Sequence, residues 1–260
     1  MTKKEIYAAY GIEFDGEKIA APEMGKINPL LVNGNGKLGR GVWTWSTLAG
    51  TGLYAWTVDG KNYTTSGTCV CNCTGCYAQA GNYNFNSVKT ALAVRTWLAR
   101  NYLDFITRAI IAQIKADRIR IFRIHASGDF FSAAYIDAWR EIATACPDTV
   151  FWSYTKNADA ETAFNDISNV NIVKSCIPGI GFNFGHCDYI IDTYNKLKSA
   201  GKSVYICRCG VDPDQHCINC KGCSKNEYVL FIEHSTNYKA AADPLYPTLR
   251  AIVENQARPE

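Results

Sequence analysis

The chain has 260 residues, of which 47% are hydrophobic and 20% charged, and its formal net charge is +3. This composition is typical of a globular protein with one large α/β domain, and the charge is too small to indicate nucleic-acid binding. No run approaches the roughly 18 apolar residues of a membrane helix, and the N-terminal stretch MTKKEIYAAYGIEFDG has no apolar signal region. We therefore expect a cytoplasmic protein with no membrane partner.

The N-terminal part of the chain, residues 1–60, is predicted to be an extension that ends in a β-hairpin. Segment 31–41 carries four glycines and two asparagines, which is typical of a loop. Segments 42–50 and 52–60 are aromatic and β-branched and are bounded by glycine. They are interpreted as two strands that pair with each other.

The central part, residues 61–206, is predicted to alternate between helices and strands. Residues 87–116 have helical periodicity over a length that favours a break near Asn101. In the segments that follow, Ser132 is a candidate N-cap and Gly201 a candidate C-terminal glycine. Strands joined by helices imply a parallel sheet, and hence an α/β fold.

Several predicted strands end in polar or reactive side chains: Arg123, His125, Tyr154, Lys156 and His234. Ligands of parallel α/β sheets bind beyond the carboxyl ends of the strands. Arg123, His125, Tyr154 and Lys156 are therefore candidate catalytic residues at one common opening. A buried structural histidine is the alternative interpretation of His125.

Cysteine is the unusual component, with twelve residues that fall mostly into two local groups. In the first, Cys69, Cys73 and Cys76 have the spacing C-x3-C-x2-C, with Cys71 between them. Three thiolates at this spacing can bind three irons of a [4Fe-4S] cluster and leave the fourth iron open. Cys71 is either an alternate ligand or a bystander.

The second group contains Cys217, Cys220 and Cys223 in the spacing C-x2-C-x2-C. Cys209 is the candidate fourth ligand, with Cys207 as its alternate. Four thiolates imply a closed [4Fe-4S] cluster, and a zinc site on the same cysteines is the alternative. Disulfides are disfavoured because the cysteines are clustered in a chain without a predicted signal peptide.

The cysteine loop resembles that of the radical S-adenosylmethionine (SAM) enzymes, where a C-x3-C-x2-C loop follows the first barrel strand. The tripeptide Ser127-Gly128-Asp129 stands where those enzymes carry a short motif that holds the SAM amino group. This resemblance implies SAM as a cofactor bound by these three residues. It also implies a partial (β/α)6-type barrel resembling the radical SAM core, with the β-hairpin extension before it.

A second resemblance covers most of residues 38–235. The motifs GRGVWTWSTLAG, a cysteine loop ending in CYA, RIHASGDFFSAAYIDAW, FWSYTK and a late C-x2-C-x2-C occur in that order. They are similar to the gene product 88 family of phages and prophages. This resemblance implies a virus-encoded protein in the cytoplasm of the host cell, without implying a reaction.

Together these features predict one compact domain, with residues 207–260 forming a C-terminal cysteine-rich cluster loop, a last strand and a helix. We expect one or two [4Fe-4S] clusters, reductive cleavage of SAM on an unknown substrate, and an electron donor such as a flavodoxin or ferredoxin. A non-catalytic iron–sulfur protein for electron transfer or redox sensing is the first alternative. A zinc-stabilised phage protein is the second.

Overall fold

The structure is a computed structural model that describes residues 30–34, 38–58, 60–71, 73, 76–212, 214–233 and 239–256. Residues 1–29 of the predicted extension, residues 35–37 of the predicted loop and the candidate His234 lie outside the described residues. Within them, no helix is both long enough and apolar enough to cross a membrane.

The described strands are, in chain order, β1 (Val32–Asn33), β2 (Val42–Trp45), β3 (Leu53–Val58), β4 (Lys61–Ser66), β5 (Ile121–His125), β6 (Val150–Thr155), β7 (Val170–Lys174), β8 (Cys176–Ile177), β9 (Gly181–Phe182), β10 (Phe184–Gly185), β11 (Val204–Ile206) and β12 (Tyr228–Ile232). The described α-helices are α1 (Asn86–Asn101), α2 (Leu103–Ala116), α3 (Ala133–Ala145), α4 (Ala158–Ala163), α5 (Cys187–Ser199), α6 (Gly222–Lys225) and α7 (Tyr246–Asn255).

A five-stranded main sheet has the strand order β1-β2-β5-β6-β7. Strands β2, β5, β6 and β7 are parallel, and β1 is antiparallel at the edge. One face of this sheet packs against the helices that connect its strands. Phe122 of β5 contacts Trp139 of α3 and Phe151 of β6, at ring-centroid distances of 5.7 and 5.5 Å. Leu98 and Ile110 of α1 and α2 are buried in the same core.

The opposite face of the main sheet is covered by residues 207–212 and 214–225, which we call the cysteine segment. Because side chains alternate along a strand, Trp152 points away from Phe151. Trp152 is buried together with Val42 of β2, against Ile218 of the cysteine segment. The face that would line the interior of a barrel is therefore occupied by the chain's own residues.

A second sheet of three parallel strands has the order β10-β12-β11. It adjoins the main sheet where the Lys174 N–H donates to the Glu227 carbonyl at 3.1 Å and the Asn183 N–H donates to the Ser175 carbonyl at 3.3 Å. The prediction of an α/β fold is confirmed. The described strands form separate ladders with both parallel and antiparallel pairs, and they do not close into a barrel.

The predicted pairing of segments 42–50 and 52–60 was wrong. Strand β2 runs parallel to β5 inside the main sheet, and β3 pairs instead with β4. The sequence between these two strands, Asp59-Gly60, favours a two-residue turn with positive φ, and Gly60, the described residue of the pair, has φ +78°. Strands β3 and β4 are also closer along the chain than β2 and β3, so the turn sequence and the short connection favour the same pair.

The predicted helix boundaries are confirmed. Tyr102, with φ −139° and ψ 48°, breaks the long helix after Asn101. The Ser132 hydroxyl accepts a hydrogen bond from the Tyr135 N–H at 3.2 Å and caps α3. Gly201, with φ +69°, follows the end of α5 in the conformation that a C-terminal glycine adopts.

Candidate functional site

The cysteine segment and the main sheet line an open cavity of about 340 Å³. Five thiols line it, and we call them the second cysteine group: Cys207, Cys209, Cys217, Cys220 and Cys223. The structure thus brings together the three C-x2-C-x2-C cysteines and both candidates for the fourth ligand.

Short turns direct these thiols towards one space. Cys207 follows β11, and Cys209 lies in the single 3-10 turn Arg208–Gly210. A further turn spans Cys217–Asn219. Lys221 adopts a left-handed conformation, with φ +54°, directly before α6, which carries Cys223.

Tyrosine hydroxyls reach two of these sulfurs. The Tyr154 O–H donates to Cys223 Sγ at 2.5 Å, and the Tyr205 hydroxyl lies 3.5 Å from Cys220 Sγ. Tyr205 is held in place by Arg208, whose Nε donates to its oxygen at 2.8 Å. Hydroxyl donors next to sulfur stabilise negative charge on a thiolate.

The thiols of the second cysteine group lie close together, and this disfavours their ionisation. Hydrogen bonding with Cys207 and Cys217 raises the pKa of the Cys209 thiol, and burial raises the pKa of Cys223. Several thiolates can accumulate in such a space when a bound cation compensates their charge.

The described histidine, cysteine and carboxylate side chains include no set of three arranged to coordinate a single metal ion. A cubane makes a different demand on its ligands, because each thiolate binds a different iron. Ligands of a cluster therefore surround a volume instead of meeting at one point.

The first cysteine group comprises Cys69, Cys71, Cys73 and Cys76, all of which are half-buried. Its first member is fixed by the segment that follows β2. The Cys69 N–H donates to the Gly50 carbonyl at 3.1 Å, and the Gly50 N–H donates to Cys69 Sγ at 3.2 Å.

The thiols of the first group also lie close to one another. Cys71 Sγ and Cys73 Sγ are 3.7 Å apart. Burial raises the pKa of Cys69 to about 12, and the negative charges of Asp129, Cys76 and Cys73 add to the increase. Asp129 also bonds beside the first of these residues, because its N–H donates to the hydroxyl of Thr68, which precedes Cys69, at 3.0 Å.

In the tripeptide Ser127-Gly128-Asp129, Ser127 and Asp129 are buried, Gly128 is half-buried, and the polar groups bond to neighbouring strands. The Ser127 hydroxyl donates to the Thr47 carbonyl at 2.9 Å. Gly128 has φ +84°, and a Cβ there would lie 2.0 Å from the Thr47 hydroxyl. Position 128 therefore requires glycine, because a side chain there would clash with Thr47.

The Asp129 carboxylate already accepts three hydrogen bonds from the protein. They come from the Thr155 hydroxyl at 2.6 Å, the Phe130 N–H at 2.8 Å and the Lys156 N–H at 3.0 Å. Burial raises the pKa of Asp129, and these hydrogen bonds counteract the increase. A carboxylate has about four acceptor positions, so little capacity remains for a ligand.

The four catalytic candidates do not share one opening. His125 is only 2% exposed and lies in the aromatic core on the helical side, where its Nε2 is 3.0 Å from the Tyr135 hydroxyl. Burial, followed by the charge of Arg123, lowers the pKa of His125 to about 3. Lys156 extends over the Phe182 ring, with Nζ 5.6 Å from the centroid.

Arg123 and Tyr154 lie on the other face, between the two cysteine groups. One Nη of Arg123 donates to the Tyr77 hydroxyl at 2.9 Å, and the guanidinium carbon lies 5.0 Å from the Tyr154 ring centroid. Burial lowers the pKa of Arg123, but electrostatic interaction with the groups around the guanidinium, Tyr77 and Tyr154 first, raises it above its ordinary value. The guanidinium therefore remains charged.

Sequence reasoning assigned no role at the site to Tyr77, Tyr205 or Arg208, although Arg208 stands at the end of a predicted strand. Tyr77 directly follows Cys76, and its hydroxyl donates to the Ala126 carbonyl at 2.5 Å. Tyrosine or arginine within two positions of a cysteine group is the signal that could have identified them.

Comparison with known proteins gives one family and two relatives. A model of the family described as Gene product 88 matches residues 29–239. The chain is 49% identical over 37 residues to the Gene 88 protein of Mycobacterium phage L5, covering 14% of this chain and 16% of that protein. It is 32% identical over 81 residues to the Gene 88 protein of Mycobacterium phage D29, covering 26% of this chain and 34% of that protein. The aligned regions thus span at most about a third of these relatives. No solved structure matches the chain.

Proposed function

Because the chain belongs to the gene product 88 family, and the matched region contains both cysteine groups, we propose that it is a phage iron–sulfur protein. The observation that carries the proposal is the convergence of five thiols on one cavity. The second cysteine group would hold a closed [4Fe-4S] cluster. Cys69, Cys73 and Cys76 would hold another, with Cys71 as the alternate.

The surroundings of the second cysteine group suit such a cluster. When bound, a [4Fe-4S] cluster supplies one-electron redox chemistry. The hydroxyls of Tyr154 and Tyr205 approach cysteine sulfurs, as outer contacts do in sites that tune a metal centre. Trp152 and the sheet face limit the access of water on one side.

We favour electron transfer over radical chemistry as the role of these sites. The cysteine segment covers the sheet face on which a barrel enzyme would hold its substrate. Ser127 and Asp129 are engaged within the protein. A low-potential carrier such as a flavodoxin or ferredoxin of the host cytoplasm would supply the electron.

The test is the metal content of the chain purified without oxygen. Two clusters require about eight irons and eight acid-labile sulfides per chain. Cys217→Ser should remove roughly half of both, and Cys69→Ser should remove the other half. Cys176→Ser is the matched control, because Cys176 is exposed and lies in neither group. Zinc without sulfide would refute the proposal and favour the zinc-stabilised alternative.

Reductive cleavage of SAM on a radical SAM-like fold is the second candidate function. It is favoured by the position of the first cysteine group, because the negative charge of Asp129 contributes to raising the pKa of Cys69. Reduced, cluster-loaded protein mixed with SAM should then release 5′-deoxyadenosine, and Asp129→Asn should abolish the release. A loaded protein that neither binds nor cleaves SAM would leave electron transfer as the function.

A further inference from the structure

A series of side-chain contacts runs from Cys223 of the second cysteine group through Tyr154 and Arg123 to Tyr77, the residue that follows Cys76 of the first group. At one end, the Tyr154 hydroxyl donates to Cys223 Sγ at 2.5 Å. The Arg123 guanidinium lies over the Tyr154 ring at 5.0 Å. At the other end it donates to the hydroxyl of Tyr77, the residue next to Cys76, at 2.9 Å.

The position of Arg123 is fixed by the protein as well as by these contacts. Its Nε donates to the His125 carbonyl at 2.8 Å, so the guanidinium is held at two points. Arg123 is half-buried on the inner face of the main sheet, where screening by solvent is reduced. The same fixed charge thus contacts the residue that follows Cys76 and the tyrosine that donates to Cys223.

We propose that Arg123 is a charge-coupling residue that raises the reduction potentials of both cysteine sites and links them electrostatically. This inference rests on the proposed binding of two clusters. Adding one electron makes a cluster more negative, and a nearby positive charge stabilises that reduced state. Tyr154 would contribute separately, because a hydrogen bond to a ligand sulfur also favours the reduced cluster.

The experiment is a dithionite titration of the full-length, cluster-loaded chain under anaerobic conditions, followed by electron paramagnetic resonance. Arg123→Gln should shift the one-electron reduction equilibrium of both sites at least about tenfold towards oxidation, which is 59 mV lower in potential. Arg123→Lys retains the charge and should lower both potentials less.

The matched control is Arg140→Gln, which removes one positive charge on the helical side of the sheet. Arg140 pairs with Asp166 at 2.6 Å, away from both cysteine groups. This variant should leave both potentials unchanged. Iron and sulfide content, measured for every variant, separates a change of potential from a loss of cluster.

Tyr154→Phe provides a second arm, because it keeps the ring below the guanidinium and removes only the hydroxyl. It should lower the potential of the second site and leave that of the first unchanged. This arm stays informative if Arg123→Gln fails to fold.

Coupling through Arg123 is refuted if Arg123→Gln moves only one potential or neither while both clusters remain bound. It is also refuted if the wild-type chain holds a single cluster. A wild-type chain without iron and sulfide would instead refute the proposed function itself.

Discussion

At the scale of single residues, hydrogen bonds of the segment Ser127-Gly128-Asp129 link neighbouring strands of the main sheet. Asp129 accepts hydrogen bonds from Thr155 and Lys156 at the carboxyl end of β6. Ser127 bonds to Thr47, which follows β2. Three neighbouring strands of the main sheet are therefore tied together at the edge that holds the first cysteine group.

Gly128 should be intolerant of a side chain. Gly128→Ala would place a Cβ 2.0 Å from the Thr47 hydroxyl at φ +84°, so we expect a loss of about 3 kcal/mol in the free energy of unfolding. Gly179→Ala is the control, with a similar φ of +72° and open space around its Cβ. It should lose only about 1–2 kcal/mol. Urea denaturation measures both, and equal losses would show that the contact with Thr47 is unimportant.

His125 should make stability dependent on pH. The pKa of His125 is about 3 in the folded chain, against an ordinary value of 6.5. As the pH falls, this side chain is therefore protonated in the unfolded chain before it is protonated in the folded chain. Its stabilising contribution is complete above pH 6.5 and is lost as the pH falls towards 3. The loss approaches about 1.4 kcal/mol per pH unit.

The measurement is the free energy of unfolding from pH 7 to pH 4, in the wild type and in His125→Asn. The variant should show a shallower decline with falling pH. His186→Gln is the control, since the His186 side chain is 54% exposed, and it should retain the wild-type slope. An unchanged slope in His125→Asn would contradict the prediction.

At the scale of elements, the sequence predicts the helices better than it predicts which strands pair with each other. Helices α1, α2 and α5 were predicted because periodicity and capping residues act within a few positions. The parallel pairing of β2 with β5 joins residues separated by about eighty positions, and helices of variable length connect such strands. Local patterns carry no information on that choice.

The cap of α3 offers a test of one such local signal. Ser132→Ala removes the acceptor for the Tyr135 N–H and should lower the free energy of unfolding by about 1 kcal/mol. Ser132→Asp keeps an acceptor at the N-terminus of the helix and should stay near the wild type. Chemical denaturation measures both variants. Equal losses for Ala and Asp would show that the hydroxyl is not acting as a cap.

At the scale of the whole molecule, the main sheet has two different coverings. Helices bury one face through an ordinary apolar core, and the cysteine segment closes the other. The sequence identified the members of both cysteine groups from spacing alone. It did not show that the second group lies against the sheet, because the contact between Ile218 and Val42 joins distant parts of the chain.

This covering should make folding stability depend on bound iron. A ligand that binds only the folded state stabilises that state. A bound cluster would cross-link the cysteines of the cysteine segment and hold this segment against the sheet. Removing iron with a chelator should therefore lower the melting temperature by roughly 5–10 °C.

Differential scanning calorimetry of loaded and stripped protein measures this change. Cys217→Ser should show a smaller difference between the two forms than the wild type. Cys176→Ser, whose thiol is exposed, should show the full difference. Identical melting of the loaded and stripped wild type would mean that the cysteine segment folds without help from metal.

The second cysteine group has one more thiol than a cubane can use. Four irons take four thiolates, whereas five cysteines line the cavity, and Cys207 and Cys209 flank a single residue. Either of these two could serve as the fourth ligand while the other stands spare beside it. Such redundancy would let the site exchange ligands without losing its iron, and it would hide the loss of either cysteine until both are gone.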